Sequence, residues 1–60
     1  MENYVVYVDN VGFFASMGNN RVTFTNEIDS AFQMSLYGAK DMVKSFENGG
    51  EVCCILKFIE

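Results

Sequence analysis

The sequence predicts a single α+β domain over residues 1–60, an antiparallel sheet of three or four strands in the order β-β-β-α-β with one main helix on one face. Three observations predict it. Short runs rich in β-branched and aromatic residues stand near 3–9, 12–17, 20–25 and 51–59. Turn-forming residues separate them: Asp9-Asn10, Gly18-Asn19-Asn20 and Asn48-Gly49-Gly50. Near 35–47 the apolar residues switch from an alternating to a helical period.

Tyr4-Val5-Val6-Tyr7-Val8 reads as the first strand and is apolar on both sides, with Tyr4, Val6 and Val8 opposite Val5 and Tyr7. Asp9-Asn10 then turns the chain, with Gly12 close by. Phe13-Phe14-Ala15-Ser16-Met17 forms a second strand, and Gly18-Asn19-Asn20 is the clearest turn in the chain. In Arg21-Val22-Thr23-Phe24-Thr25 the apolar residues alternate with polar ones, the pattern of a half-exposed strand.

Two starts are open for the helix. Asn26 caps a single long helix whose stripe is Ile28, Phe32, Leu36, Ala39, Val43 and Phe46, or Ile28–Phe32 is a short helical turn and the main helix begins after Ser35. Gly38 costs a continuous helix about 1 kcal/mol relative to alanine, which favours the broken form. In either form Ala39, Met42, Val43 and Phe46 face the core, and Lys40, Asp41, Lys44 and Glu47 face water. Phe46 is expected to insert against Val6, Leu56 or Phe58. The last strand carries Val52, Cys54, Leu56 and Phe58 on one side and Cys53, Ile55, Lys57 and Ile59 on the other. Both sides are mainly apolar, which predicts a central strand covered on both faces.

A chain of 60 residues buries only about 60% of the surface its unfolded form exposes, and the usual covalent staples are missing. Cys53 and Cys54 are adjacent and point to opposite faces, so they close no useful loop. There is no histidine, and two cysteines are too few for an all-thiolate zinc site. Stability must come from apolar packing and association. One helix covers one sheet face. With Tyr4, Val6, Val8, Leu56 and Phe58 assigned to it, Val5, Tyr7, Cys53, Ile55 and Ile59 are left over as the expected homodimer interface, centred on Tyr7 and Ile55. Face-to-face and edge-to-edge pairing are both open.

Chemistry-bearing motifs are incomplete. The Cys53-Cys54 pair lacks an activating base, and its nearest cation in sequence is Lys57, so it reads as two small hydrophobes. Asp9, Asn10 and Gly12 lack the remaining oxygen ligands of a calcium loop. Gly18-Asn19-Asn20-Arg21 lacks the spacing and Lys-Ser/Thr of a phosphate loop. Phe13, Phe14 and Phe24 have no positive groove beside them in which to stack bases. No catalytic residue, cofactor or metal is expected, and the chain reads as a non-enzyme. A net charge of −4 argues against nucleic acid and membrane surfaces as direct partners. Unpaired thiols, the lack of a recognisable export signal and the lack of any apolar run near 20 residues point to the cytoplasm. Glu27, Asp29, Asp41, Glu47, Glu51 and Glu60 raise nucleic-acid mimicry as a lesser reading, too sparse in a monomer but doubled in a dimer.

Tyr4-Val5-Val6, Gly12-Phe13, Val22-Thr23-Phe24-Thr25-Asn26, Ile28-Asp29-Ser30-Ala31, Ala39 with Val43, and Gly49-Gly50 before the last strand make a layout that resembles small accessory proteins encoded by bacteriophages and prophages. The resemblance implies expression in a bacterial host and action by binding a host protein, in some cases as an inhibitor of antiviral defence. A viral assembly or regulatory accessory is the alternative. The resemblance carries no site residues.

Overall fold

In a computed structural model, which describes residues 3–58, the chain forms β1 (Asn3–Val8), β2 (Gly12–Gly18), β3 (Arg21–Thr25), a 3-10 turn at Ile28–Ser30, α1 (Leu36–Asn48) and β4 (Cys53–Phe58). The strands make one antiparallel sheet in the order β3-β2-β1-β4, with α1 on one face. This is the expected α+β architecture. The helix takes the broken form. Ser35, in extended backbone, accepts a 3.2 Å hydrogen bond from the Gly38 N–H and so caps the N-terminus. At the other end the Gly50 N–H donates to the Glu47 carbonyl and the Glu51 N–H to the Phe46 carbonyl. Gly50, at φ +93°, takes the left-handed backbone this ending requires.

The two tight hairpin connections are set by local chemistry. Asn19 and Asn20, both left-handed, fill a two-residue turn between the paired Gly18 and Arg21. Two successive positive φ angles match the right-handed twist of the flanking strands, and asparagine tolerates them. In the first connection Asn10 is left-handed, and Gly12 has a φ of +136°. A β-carbon on Gly12 would lie 2.8 Å from the Thr25 carbonyl oxygen, so only glycine fits.

Beyond Tyr7–Phe13 the ladder between β1 and β2 opens, and the extended segment after the 3-10 turn fills the gap. Tyr4 and Met34 exchange both backbone hydrogen bonds at 2.8 Å, and the Phe32 N–H donates to the Phe14 carbonyl. The Asn3 side-chain amide donates to the Gln33 side-chain oxygen at 2.7 Å. Opening the ladder leaves polar backbone to be satisfied, and this inserted segment satisfies it.

The core is small. Val6, Val8, Phe14 and Ala39 form its buried centre, and Met42, Val43 and Phe46 of α1 pack around them. Two expectations are corrected. β4 is an edge strand, and β1 is the central one at that end of the sheet. Apolar residues on both sides of β4 therefore do not report a second covering layer. Phe46 meets the rings of Phe14 and Phe24 on the helix side, with centroids 6.4 and 5.9 Å away. Leu56 and Phe58 lie on the far face, out of its reach, because their cross-strand partners are Val5 and Asn3.

Candidate interaction surfaces

Register decides which side chains share a face. Val6 lies opposite Ile55 and Val8 opposite Cys53, so Cys53 and Ile55 face the helix and pack against the core. Val5 lies opposite Leu56, and Tyr7 lies opposite both Cys54 and Phe13. The face away from the helix therefore carries Val5, Tyr7, Phe13, Cys54, Leu56 and Phe58. The expected interface set of Val5, Tyr7, Cys53, Ile55 and Ile59 is split by this pairing. Val5 and Tyr7 sit on the far face, Cys53 and Ile55 on the helix face, and Ile59 lies outside the described residues. The cause is a one-residue offset in β4, which exchanges its two apolar sides. Val5 is also fully buried rather than solvent-facing, with long side chains two residues along and directly across from it.

The far face has an uncharged centre. Tyr7 and Phe13 meet edge-on with ring centroids 5.0 Å apart. Cys54 and Leu56 are exposed beside them, and Phe58 is half-buried. The described carboxylates lie elsewhere: Asp9 in a turn, Glu27, Asp29 and Glu51 in connections, and Asp41 and Glu47 on α1. Toward β3 this face becomes polar, with Thr25 opposite Phe13 and Thr23 two residues along the same strand. The apolar part spans β4, β1 and the start of β2, roughly 300 Å² in projection.

The helix side has an opening that sequence reasoning missed. α1 lies over β1 and β4. A helix about 10 Å across covers about two strands spaced near 4.8 Å, so a sheet of four keeps half a face open. Phe46 reaches across to the rings of Phe14 and Phe24. Beside it lies a groove of about 350 Å³ lined by Phe14, Ser16, Met17, Phe32 and Met42. Met17 is 64% exposed and Phe32 52%. Comparing helix width with strand number was the signal that could have found this groove.

Among the described residues no group of three or more His, Cys, Asp or Glu is placed to hold a metal. Burial, then the carboxylates of Glu47 and Glu51 and the adjacent Cys54, push the Cys53 thiol above its ordinary value of 9.0. That disfavours the thiolate a nucleophile needs. A second depression, about 240 Å³, gathers Asp9, Asn10, Val11, Gly50, Glu51 and Val52 and holds no cationic side chain. Among the described residues no helix is long and apolar enough to cross a membrane. Comparison with protein-family models, with curated proteins and with solved structures finds no match.

Proposed function

We propose that the protein is a non-catalytic binding protein that acts by direct contact with another protein, as a homodimer in a bacterial cytoplasm. One observation carries the reading: an acidic chain of net charge −4 keeps an uncharged apolar face around Tyr7, Phe13, Cys54, Leu56 and Phe58. Uncovered apolar surface of this kind, with charge kept to the periphery, is the composition of a protein-binding patch. The sequence resemblance to phage accessory proteins is what supports a host protein as the target, with inhibition of an antiviral defence as the effect.

The test has two arms. Tagged wild-type protein should retain one host protein from bacterial lysate in stoichiometric amount, and Cys54→Asp should lose it. Cys54 is exposed, so this variant puts a charge into the apolar patch with little disturbance of the fold. In cells carrying a defence system, expression of the wild type should raise the plaque count of a restricted phage, and the variant should not. Capture that is indifferent to Cys54→Asp, or no change in plaque count with any defence system tried, would overturn the reading.

A further inference from the structure

We infer that the groove between α1 and the uncovered strands seats an amphipathic helix of a partner protein, about three turns long, which lies antiparallel to α1 with its N-terminal end beside Glu27 and Asp29. This is a second surface, on the opposite side of the sheet from Tyr7 and Leu56, and it goes beyond the reading above.

The slot has the width of one helix. α1 lies over β1 and β4, which leaves β2 and β3 bare on this side. Two strands near 4.8 Å apart span about 10 Å, the diameter of a helix with its side chains. The ring of Phe46 packs on Phe24, which places Phe24 on this side of β3, and Val22, two residues back, shares it. Met17 pairs with Val22 and points the same way. Met17, Val22 and Phe32 are all exposed. Neither β2 nor β3 puts a charged side chain on this side, because Arg21 alternates with Val22. β3 is five residues long, about 17 Å, which matches about three turns of helix.

The wall of the slot permits close approach. Met42 of α1 lines the groove. Gly38 and Ser45, one turn to either side of Met42, lie on the same flank. Neither has a long side chain, so a second helix can come within the roughly 8–10 Å at which helices pack. Phe14, Phe32, Met17 and Met42 supply aromatic faces and two flexible thioethers, a surface that adapts to the side chains of an apolar helix stripe.

Charge decides both the occupant and its direction. The outward positions of α1 are Tyr37, Asp41, Lys44 and Asn48, all exposed. A second copy therefore has no apolar stripe to offer from its own helix. The two ends of the slot differ in sign. α1 starts at the end of the sheet where Tyr4 bridges Met34 and finishes at the end where Val8 pairs with Cys53. Thr25 reaches that second end beside Phe13, and Glu27 and Asp29 follow it. Arg21 stands at the opposite end, paired with Gly18. The carboxylates and the negative C-terminal end of α1 favour the positive N-terminus of an entering helix, and Arg21 favours its C-terminus. The partner segment is thus apolar along one stripe, at i, i+3, i+4 and i+7, and basic in its first turn.

The test uses the full chain as bait for a displayed library of helical peptides of about 14 residues. Their stripe positions vary among leucine, isoleucine, phenylalanine and methionine. One arm carries lysine in the first turn and glutamate in the last, and the other arm the reverse. Selection should return binders from the lysine-first arm, and these should move the ε-methyl resonances of Met17 and Met42. Met17→Asp should raise their dissociation constant at least about tenfold, and Ser45→Trp, which narrows the slot from the α1 side, should do the same. Both positions are exposed, and circular dichroism verifies that the variants keep the fold. No helical binder, binders mainly from the glutamate-first arm, binders that leave both methyl resonances in place, or binders indifferent to both variants would overturn the proposal. A wild-type dimer that Met17→Asp dissociates would make a second copy the occupant and overturn the partner helix. Peptide binding lost in Cys54→Asp but kept in Met17→Asp would move the site to the far face, so the two surfaces fail separately.

Discussion

The ring of Phe46 lies against that of Phe24 with centroids 5.9 Å apart and planes tilted by 45°. The same ring reaches Phe14 at 6.4 Å. One side chain of α1 thus ties the helix to the strand farthest from it. Replacing a buried phenylalanine by alanine costs about 3–5 kcal/mol, and Phe46 is half-buried, so Phe46→Ala should cost about 3 kcal/mol. A chain of this length has only about 3–9 kcal/mol in total. Denaturant titration should show the midpoint collapse. A double-mutant cycle with Phe24→Ala should be non-additive, because both variants remove one shared contact. Independent effects would mean the ring pair contributes nothing.

Gly12→Ala should destabilise by about 1–3 kcal/mol. The cause is local: a φ of +136° and a new β-carbon 2.8 Å from the Thr25 carbonyl oxygen. Thermal melts of Gly12→Ala and Gly18→Ala make the comparison, since a β-carbon on Gly18 meets nothing within 4 Å. Equal melting temperatures would refute the steric account.

Ser35→Ala should cost about 1 kcal/mol by leaving the Gly38 N–H without its cap. Ser35→Asp should recover most of it, because a carboxylate accepts the same bond and suits the positive helix end. Circular dichroism during denaturation reads both variants. A stable alanine variant would place the helix start elsewhere.

The two thiols should differ in reactivity. Burial first, then Glu47 and Glu51, raise the Cys53 value, so the folded chain holds that proton more tightly than the unfolded chain does. The associated stability is fully present below the ordinary value of 9.0 and is lost as pH rises through the folded value. At about pH 8 iodoacetamide should label exposed Cys54 well before Cys53, with Cys53 catching up only under more alkaline conditions. Equal labelling rates in native protein, read by mass spectrometry, would contradict the placement of Cys53 on the helix side.

Much of the architecture is legible in local chemistry. Asn19-Asn20, the Ser35 cap, the Gly49-Gly50 ending and the Ala39, Met42, Val43, Phe46 stripe each act within a few residues. The side of β4 that faces the helix was not legible. Val52, Cys54, Leu56 and Phe58 are as apolar as Cys53, Ile55 and Ile59 together, so alternation carries no sign there. The sign is set by pairing with β1, a relation between distant residues. The inserted segment around Phe32 and Met34 was hidden for the same reason. Its hydrogen bonds run to Phe14 and Tyr4, not to neighbours in sequence.

The strand order has a consequence for how the protein is made. β1 holds fully buried Val5, Val6 and Val8, yet one of its long edges is closed only by β4, as far away as Asn3 from Phe58. A ribosome releases β1 first and β4 only after the turns and α1. Throughout that interval the most apolar strand waits with a bare side. Such distant pairings close slowly, because loop entropy must be met before any contact rewards it. Nascent chains halted before Cys53 should therefore stay protease-sensitive and engage chaperones, and protection should arrive in one late step when β4 clears the exit tunnel.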